Sequence, residues 1–319
     1  MFKKRRKLRH DVAYITLLTI VFVSKKTPRL LGLQIFGFMG LLLGFILKKE
    51  RSITQQNLKN VFKDYDDKQI DKIVNGVFIN AGKSLFDSIK LPEYPKEKFF
   101  KIIRLENESL CNEIFSSPKS AIVLGSHLSA FELKTHIVAK MGYKAMTIGS
   151  SLFDKKVEDL LIKLRKRNNV EYFDRNGGIM NVLRNLRNGF NFGVLVDQDA
   201  THEGVFVNFL GEEAFTPFIP VKIAIRNDFQ LVWAFLIREK REKYTFYMQK
   251  AEIIETEDEM ETYILNLEKF SEKLGEFIIK YPQQWVWMHN RWKRKSKDFP
   301  KQLSISYYKE KKNEIIGLS

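Results

Sequence analysis

His127 and Glu132 are the residues with the clearest capacity for chemistry, and four residues separate them as His-x4-Glu. A histidine whose Nδ1–H is held by a carboxylate keeps Nε2 as a base, and the carboxylate stabilises the imidazolium that forms. Such a base can act directly on a substrate hydroxyl, without a serine or cysteine nucleophile. Because a packed or surface histidine gives the same bare pattern, the interpretation depends on the elements around the pair.

A predicted strand and a predicted helix position this pair. Residues 121–124 form a short apolar run with β-branched members, which is typical of a buried strand that the following Gly-Ser ends. Ser129 is a predicted N-cap, and residues 130–140 are predicted to form the helix. His127 would then lie at the carboxyl end of a strand, where the crevices of open α/β sheets form, with Glu132 in the first helical turn.

Strands and helices alternate after this unit, which predicts an α/β fold with a mostly parallel mixed sheet flanked by helices. The helix from 216 is predicted to begin with Thr216 as N-cap and Pro217 at the first helical position. The predicted strands are 99–106 (an edge strand), 145–148, 170–173, 192–196, 230–236 and 244–250, and the predicted helices are 156–167, 178–188, 216–226 and 258–280.

Further polar residues follow two of these strands. Arg175 comes after the strand that Phe173 closes, where a guanidinium could meet a developing oxyanion or a phosphate, or simply be solvated in a turn. Asp197, Gln198 and Asp199 follow the strand 192–196. An Asp-x-Asp pair there could bind a divalent cation, orient a sugar hydroxyl or an arginine, or form a solvated turn.

Two aromatic segments have two interpretations each. Residues 202–209 could line a lipid site or form a core or edge strand. Residues 281–293 contain three of the four tryptophans and Arg291, a mixture that suits either a membrane interface or a packing cluster. The five histidines show no recognisable metal-ligand spacing.

Composition limits the class of protein. The chain has 319 residues, 44% apolar and 29% charged, as in globular proteins. The formal net charge of +16 favours anionic partners: phospholipid headgroups, phosphorylated glycolipids, nucleic acid or an acidic carrier protein. Cys111 is the single cysteine, which excludes an internal disulfide and cysteine-rich zinc sites.

The N-terminal region is predicted to associate with a membrane. Residues 1–10 are strongly basic, and residues 12–23 are apolar but too short to span a bilayer. Residues 30–47 are apolar apart from Gln34 and are followed by a basic cluster at 48–51. As a helix this run is about 27 Å long, just short of the roughly 30 Å hydrocarbon core. Because both flanks are basic, a spanning helix, a shallow hairpin and an in-plane anchor all stay open.

The same patterns divide the chain into four parts. They are a basic N-terminus with a membrane anchor (1–50), a helical lead-in (51–95), the α/β domain (96–293) and a basic C-terminal tail (294–319).

Six motifs follow one another along the chain: 57–62 (Asn-Leu-Lys-Asn-Val-Phe), His127-x4-Glu132, Arg175-x-Gly177, Asp197-Gln198-Asp199, 204–207 with Phe215-Thr216-Pro217, and 282–292. In this order they resemble the motifs of the late acyltransferases of bacterial lipid A biosynthesis, the lauroyl/myristoyl transferase family of the lysophospholipid acyltransferase-like group. The chain departs from that pattern at Ser129-Ala130-Phe131, where Gly-Asn-Trp is common.

The resemblance implies a membrane-bound O-acyltransferase that moves a fatty acyl group from acyl carrier protein or CoA to a hydroxyl of an anionic glycolipid, a lipid A precursor. It implies the bacterial inner membrane, with the catalytic domain on the cytoplasmic side, and no metal, redox cofactor or nucleic acid. The implied catalytic residues are His127 as base, Glu132 as its orienting partner and Arg175 at the oxyanion. The implied substrate-binding residues are Ser126, Asp197, Gln198, Asp199 and Arg291.

Two other classes of function stay open from the residues alone. One is a metal-dependent, membrane-associated glycosyltransferase that uses Asp197 and Asp199. The other is a non-enzymatic, basic, membrane-tethered protein that binds nucleic acid.

Overall fold

The computed structural model describes residues 2–150, 154–174, 179–199 and 203–316, and it confirms the predicted α/β architecture. The helices are α1 Phe2–Lys26, α2 Arg29–Ile46, α3 Lys48–Val61, α4 Asp67–Lys90, α5 Lys96–Phe100, α6 Glu108–Ser116, α7 Leu133–Met141, α8 Lys155–Arg165, α9 Ile179–Arg187, α10 Ile219–Arg226, α11 Glu259–Lys280 and α12 Ile305–Ile316. The strands are β1 Ile103–Leu105, β2 Ala121–Gly125, β3 Ala145–Gly149, β4 Glu171–Asp174, β5 Asn191–Leu195, β6 Val205–Phe209, β7 Glu212–Thr216, β8 Gln230–Arg238 and β9 Tyr244–Lys250.

Seven strands form one sheet in the order β1-β9-β8-β2-β5-β3-β4. Neighbouring strands are parallel except for the antiparallel β8–β9 pair. Strand β2 is buried along its whole length, as expected for a strand covered on both faces. Its last residue, Gly125, pairs with Leu195 of β5. The segments that follow these two strands therefore leave the sheet side by side at the same edge.

The separate β6–β7 hairpin settles two predictions. The segment 202–209 contains a core strand, because Val205, Phe206 and Val207 are fully buried, while His202 lies outside the described residues. Thr216 ends β7 and does not cap a helix, so that prediction was wrong. Helix α10 begins three residues later, with a proline in its first turn, because pairing with β6 keeps the chain extended through Thr216.

The helix after His127 also begins later than predicted, at Leu133. Ser129 has a φ of 51° and donates its backbone N–H to the carbonyl of Gln284 at 2.7 Å. Leu128 forms an isolated antiparallel bridge with Trp285. These contacts with the C-terminal segment keep Ser129 from capping the helix. A tertiary contact therefore overrides the local preference of serine for an N-cap position.

The C-terminal tryptophans form a packing cluster. Trp285, Trp287 and Trp292 are all buried, and the rings of Trp285 and Trp287 meet edge-on with centroids 4.8 Å apart. Phe209 of β6 packs on Trp285 with centroids 5.3 Å apart. Of the two interpretations of this segment, the packing cluster is therefore correct.

Helix α2 lies against α4 through a glycine-rich face. A Cβ on Gly40 would lie 2.2 Å from the carbonyl oxygen of Phe78, and a Cβ on Gly82 would lie 2.0 Å from that of Phe36, so only glycine permits this approach. The opposite face of α2 carries large exposed apolar side chains, such as Phe38 at 60% exposure. Among the described residues, α2 is the one helix long and apolar enough to cross a membrane.

A buried ion cluster fastens the start of α2 to the sheet. Asp87 of α4 is fully buried and accepts hydrogen bonds from Arg29 at 2.8 and 2.9 Å, from Arg238 of β8 at 2.9 Å and from the hydroxyl of Tyr244 of β9 at 2.7 Å. One carboxylate therefore joins two N-terminal helices to two strands.

We predict that Asp87→Asn lowers the free energy of unfolding by about 3–5 kcal/mol, because Arg29 and Arg238 would lose their carboxylate in a buried position. Denaturant unfolding measures this change. Asp71→Asn is the control, since its ion pair with Arg51 is half-exposed and should contribute less than about 1 kcal/mol. Equal effects of the two substitutions would contradict the role of the cluster.

Candidate active site

The site is built on a bond between the His127 ring and Asp197. Nδ1 of His127 lies 2.7 Å from Oδ1 of Asp197, and the backbone N–H of His127 donates to Oδ2 at 2.7 Å. Each residue follows the end of its strand by two residues, and β2 and β5 are neighbours in register. The parallel sheet therefore brings together two residues that lie 70 positions apart in the chain.

Asp197 is held in its charged form. Burial by itself would raise its pKa, but the N–H groups of His127, the positive charge of that ring when it is protonated and the indole N–H of Trp285 at 2.8 Å outweigh burial and hold the pKa below its usual range. A charged carboxylate accepts at Nδ1, which assigns the ring proton to that nitrogen. Nε2 is then the nitrogen that can take up a proton.

Glu132 does not make the bond predicted for it. Its carboxylate accepts from Nη2 of Arg165 at 2.6 Å and from Nε of Arg165 at 3.2 Å. Asp197, from the neighbouring strand, occupies Nδ1 of His127 instead, and the late start of α7 leaves Glu132 ahead of the helix. The carboxylate that orients His127 in this structure is therefore Asp197.

A cavity of about 840 Å³ opens beside this pair. His127, Glu132, Arg165 and Gln198 contribute polar groups to its wall. Most of the remaining lining is apolar or small, and includes Val123, Val138, Ala145, Gly193, Leu195 and Ile223. A large apolar cavity with a few converging polar groups is the usual form of a ligand site.

The Asp-x-Asp segment is buried, so the solvated-turn interpretation was wrong. Asp199 is 1% exposed and lies 3.3 Å from Nε of Arg294. Its backbone N–H donates to Nε2 of His289 at 3.1 Å. Burial lowers the pKa of His289, and the neighbouring cationic groups Lys293 and Arg291 add to this effect. Asp199 thus joins the C-terminal segment to the turn that carries Asp197.

The other predicted residues fall into three groups. Gln198 lines the cavity, whereas Ser126 is fully buried and its carbonyl accepts from Nζ of Lys134 at 2.8 Å. Arg291 is buried and donates to the carbonyl of Phe215 and to Oγ1 of Thr216, which suits a scaffold role and not the predicted contact with substrate. Arg175 lies outside the described residues.

Lys134 and Arg165 were not predicted from the sequence as members of the site, and Trp285 was predicted only as part of the aromatic segment 281–293. The Asp-x-Asp at a strand end did mark Asp197, but the strand order that places it beside His127 cannot be read from local patterns.

The sequence model of the family described as "Bacterial lipid A biosynthesis acyltransferase" matches residues 1–294. The chain belongs to this family. It is also similar to a lipid A biosynthesis acyltransferase from Haemophilus influenzae (strain ATCC 51907 / DSM 11121 / KW20 / Rd), with 21% identity over 274 residues that cover 85% of this chain and 83% of the relative.

Family membership makes the protein an acyltransferase of lipid A biosynthesis, so the glycosyltransferase and non-enzymatic alternatives were wrong. In the structure, Oδ1 of Asp197 lies against the His127 ring, and Oδ2 accepts from the backbone N–H of His127 and the indole N–H of Trp285. Within the described ranges, no group of three or more His, Cys, Asp or Glu side chains could hold a metal ion.

For this acyltransferase we predict that Asp197→Asn lowers kcat roughly 10³-fold or more, because an amide no longer fixes the ring proton on Nδ1. Glu132→Gln should cost less than about 100-fold, since it leaves the bond between His127 and Asp197 intact. Initial rates of acyl transfer, with circular dichroism as the folding control, compare the two. A larger loss of kcat for Glu132→Gln than for Asp197→Asn would indicate that Glu132, and not Asp197, orients His127.

Proposed function

We propose that the protein moves a fatty acyl group from an acyl thioester of acyl carrier protein or CoA to a hydroxyl of a lipid A precursor or similar glycolipid. His127 acts as the general base and Asp197 orients it. The observation that carries this proposal is the His127–Asp197 pair beside a large, mostly apolar cavity. The cavity suits an acyl chain, and the imidazole beside it suits the deprotonation of an alcohol.

In the proposed reaction, Nε2 of His127 takes the proton of the acceptor hydroxyl while its oxygen attacks the thioester carbonyl carbon. Asp197 stabilises the imidazolium that forms. The tetrahedral intermediate then expels the thiolate as the carbon–sulfur bond breaks, and His127 returns the proton to sulfur. The transfer is direct, without an acyl-enzyme, and no step needs a metal or a redox cofactor.

We propose that Arg175, Arg165 and Gln198 contact the substrates. Strand β4, whose last residue Asp174 immediately precedes Arg175 in the sequence, pairs in parallel with β3 and so ends at the same edge of the sheet as β2. We assign to Arg175 the developing oxyanion or a phosphate of the acceptor. Arg165 borders the cavity in its pair with Glu132, and Gln198 offers a neutral amide to an acceptor hydroxyl. The net charge of +16 suits an acidic carrier protein and an anionic glycolipid.

We further propose that α1 and α2 bind the membrane surface in its plane. The exposed apolar residues concentrate on these two helices: Val12, Ile15, Leu18, Phe22 and Val23 on α1, and Leu30, Leu31, Ile35, Phe38, Met39, Leu42, Leu43, Phe45 and Ile46 on α2. Basic clusters at 3–9, 25–26 and 48–51 flank them, and such a mixture favours an anionic bilayer surface.

Packing against α4 is what favours the in-plane orientation. The middle of α2 meets Lys83, because a Cβ on Gly37 would lie 3.2 Å from Cε of that lysine, and Lys83 pairs with Glu242 at 2.5 Å. An α2 that stood normal to the membrane would carry this ion pair to bilayer depth, at a cost of several kcal/mol. In the plane, the charges stay above the hydrocarbon. We place this surface on the cytoplasmic face of the inner membrane, as the family resemblance implies.

The function is tested by incubating the full-length protein, in detergent or vesicles, with acyl carrier protein and CoA thioesters of several chain lengths and with lipid A precursor, and weighing the products by mass spectrometry. His127→Ala is expected to abolish acylation while the protein stays folded. His136→Ala is the matched control, because that buried histidine contacts Asn168 outside the cavity lining. Undiminished turnover by His127→Ala would refute the mechanism.

The membrane orientation is tested with single cysteines. Cys111 is buried, and burial raises the pKa of its thiol to about 11, so introduced cysteines can be labelled selectively at neutral pH. Spin labels at Leu31, Phe38 and Ile46 should report similar depths in anionic vesicles, and a label at the exposed Ile279 of α11 should report none. Depths that differ by about 20 Å from Leu31 to Ile46 would instead show a spanning helix.

A further inference from the structure

Lys134 is a buried lysine in the wall of the cavity. It is the second residue of α7 and is 8% exposed, in a helix whose first turn packs on the sheet. Its Nζ donates to the carbonyl of Ser126 at 2.8 Å. The carboxylate of Glu132, two residues earlier, pairs with Arg165 and not with this ammonium. A buried lysine bonded to a backbone carbonyl is uncommon, because a buried ammonium is normally paired with a carboxylate.

The carbonyl that Lys134 binds belongs to the peptide unit between Ser126 and His127. The N–H of the same unit donates to Oδ2 of Asp197 at 2.7 Å, and Oδ1 of Asp197 holds the His127 ring. Lys134 and Asp197 therefore hold the two ends of one peptide group. A cation at the carbonyl polarises that group and strengthens the bond that its N–H makes to a carboxylate.

The local sequence makes room for this contact. A Cβ at Gly125 would lie 2.5 Å from Nζ of Lys134 and 3.2 Å from Cδ2 of Leu195, so a side chain there would displace the ammonium or the neighbouring strand. The last residue of β2 must therefore be small for the lysine to reach the carbonyl that follows it.

We propose that Lys134 is a positioning residue, which fixes the Ser126–His127 peptide and thereby the geometry of the His127–Asp197 pair. The inference rests on the proposed catalytic role of that pair. Lys134 acts through the peptide and Asp197, and it takes no proton from the substrate.

The energetic cost of this arrangement distinguishes a functional role from a packing role. Burial lowers the pKa of Lys134 to about 7, although the carboxylates of Asp197 and Glu132 raise it. Within the described residues, Arg165, His127 and Glu203 are the other charged or titratable groups in the cavity wall. A lysine that only filled space would be replaced by methionine with a gain in stability and no loss of rate. A positioning lysine trades stability for rate.

Lys134→Met in the full-length protein is expected to lower kcat by about tenfold to 100-fold, with KM for the thioester changed by less than about twofold. Lys134→Gln, which keeps an N–H donor without the charge, should recover part of the lost kcat. Lys140→Met is the matched control, because Lys140 lies on the same helix, also donates to a backbone carbonyl, that of Tyr94, at 2.7 Å, and does not line the cavity. Its kcat should equal that of the unsubstituted protein.

Stability gives an independent readout. Below pH 7 the folded protein carries the full cost of the buried ammonium. Between about 7 and the unfolded pKa near 10.4, folding releases the proton, so the stability of the unsubstituted protein rises with pH. Lys134→Met should therefore raise the apparent Tm, and by more at pH 6 than at pH 9.

The inference is overturned by an undiminished kcat of Lys134→Met, or by a loss of kcat that comes with a lower apparent Tm at pH 6. Full activity of His127→Ala would overturn the proposed function and this inference with it. Full activity of Lys134→Met beside an inactive His127→Ala would overturn this inference alone.

Discussion

The site depends on one buried hydrogen bond, between the His127 ring and the carboxylate of Asp197. It forms because β2 and β5 are adjacent, parallel and in register up to Gly125–Leu195, so two turns leave the sheet together. A carboxylate taken out of water stays charged only when its oxygens are satisfied, and the indole of Trp285 supplies the remaining donor. The strand order thus brings His127 and Asp197 together. The hydrogen bond from Trp285, in the C-terminal segment, offsets part of the cost of burying the carboxylate of Asp197.

That C-terminal segment also connects the site to the N-terminal helices. Gln284 accepts the backbone N–H of Ser129 and exchanges two hydrogen bonds, both at 2.8 Å, with the backbone of Arg238. The side chain of Arg238 binds Asp87, which also holds Arg29 at the start of α2. A continuous series of hydrogen bonds therefore joins the elements proposed to face the membrane to those proposed to do chemistry.

The sequence was sufficient for the fold class and for most strands, because β-branched runs and helical periodicity are local signals. It was insufficient wherever a partner distant in the chain decided the outcome. Glu132 is close to His127 in the sequence, but the strand order places Asp197 against the His127 ring. Ser129 and Thr216 look like helix caps, but Gln284 and β6 keep them outside helices. Lys134 could not be identified from the sequence, because a lysine in the first turn of a predicted helix is usually exposed to solvent.

Helix α2 shows the same limit in another form. Its sequence is apolar on every side, so hydropathy alone cannot separate a face that packs on protein from one that meets lipid. Residue size separates them in the structure: the glycines face α4, and the large side chains face outward. Two ion pairs lie on the protein side of α2: Arg29, its first residue, binds Asp87 of α4, and Lys83 of α4, which packs on Gly37, binds Glu242. In the proposed in-plane orientation both pairs stay outside the hydrocarbon, because α2 would meet the bilayer with its large exposed side chains.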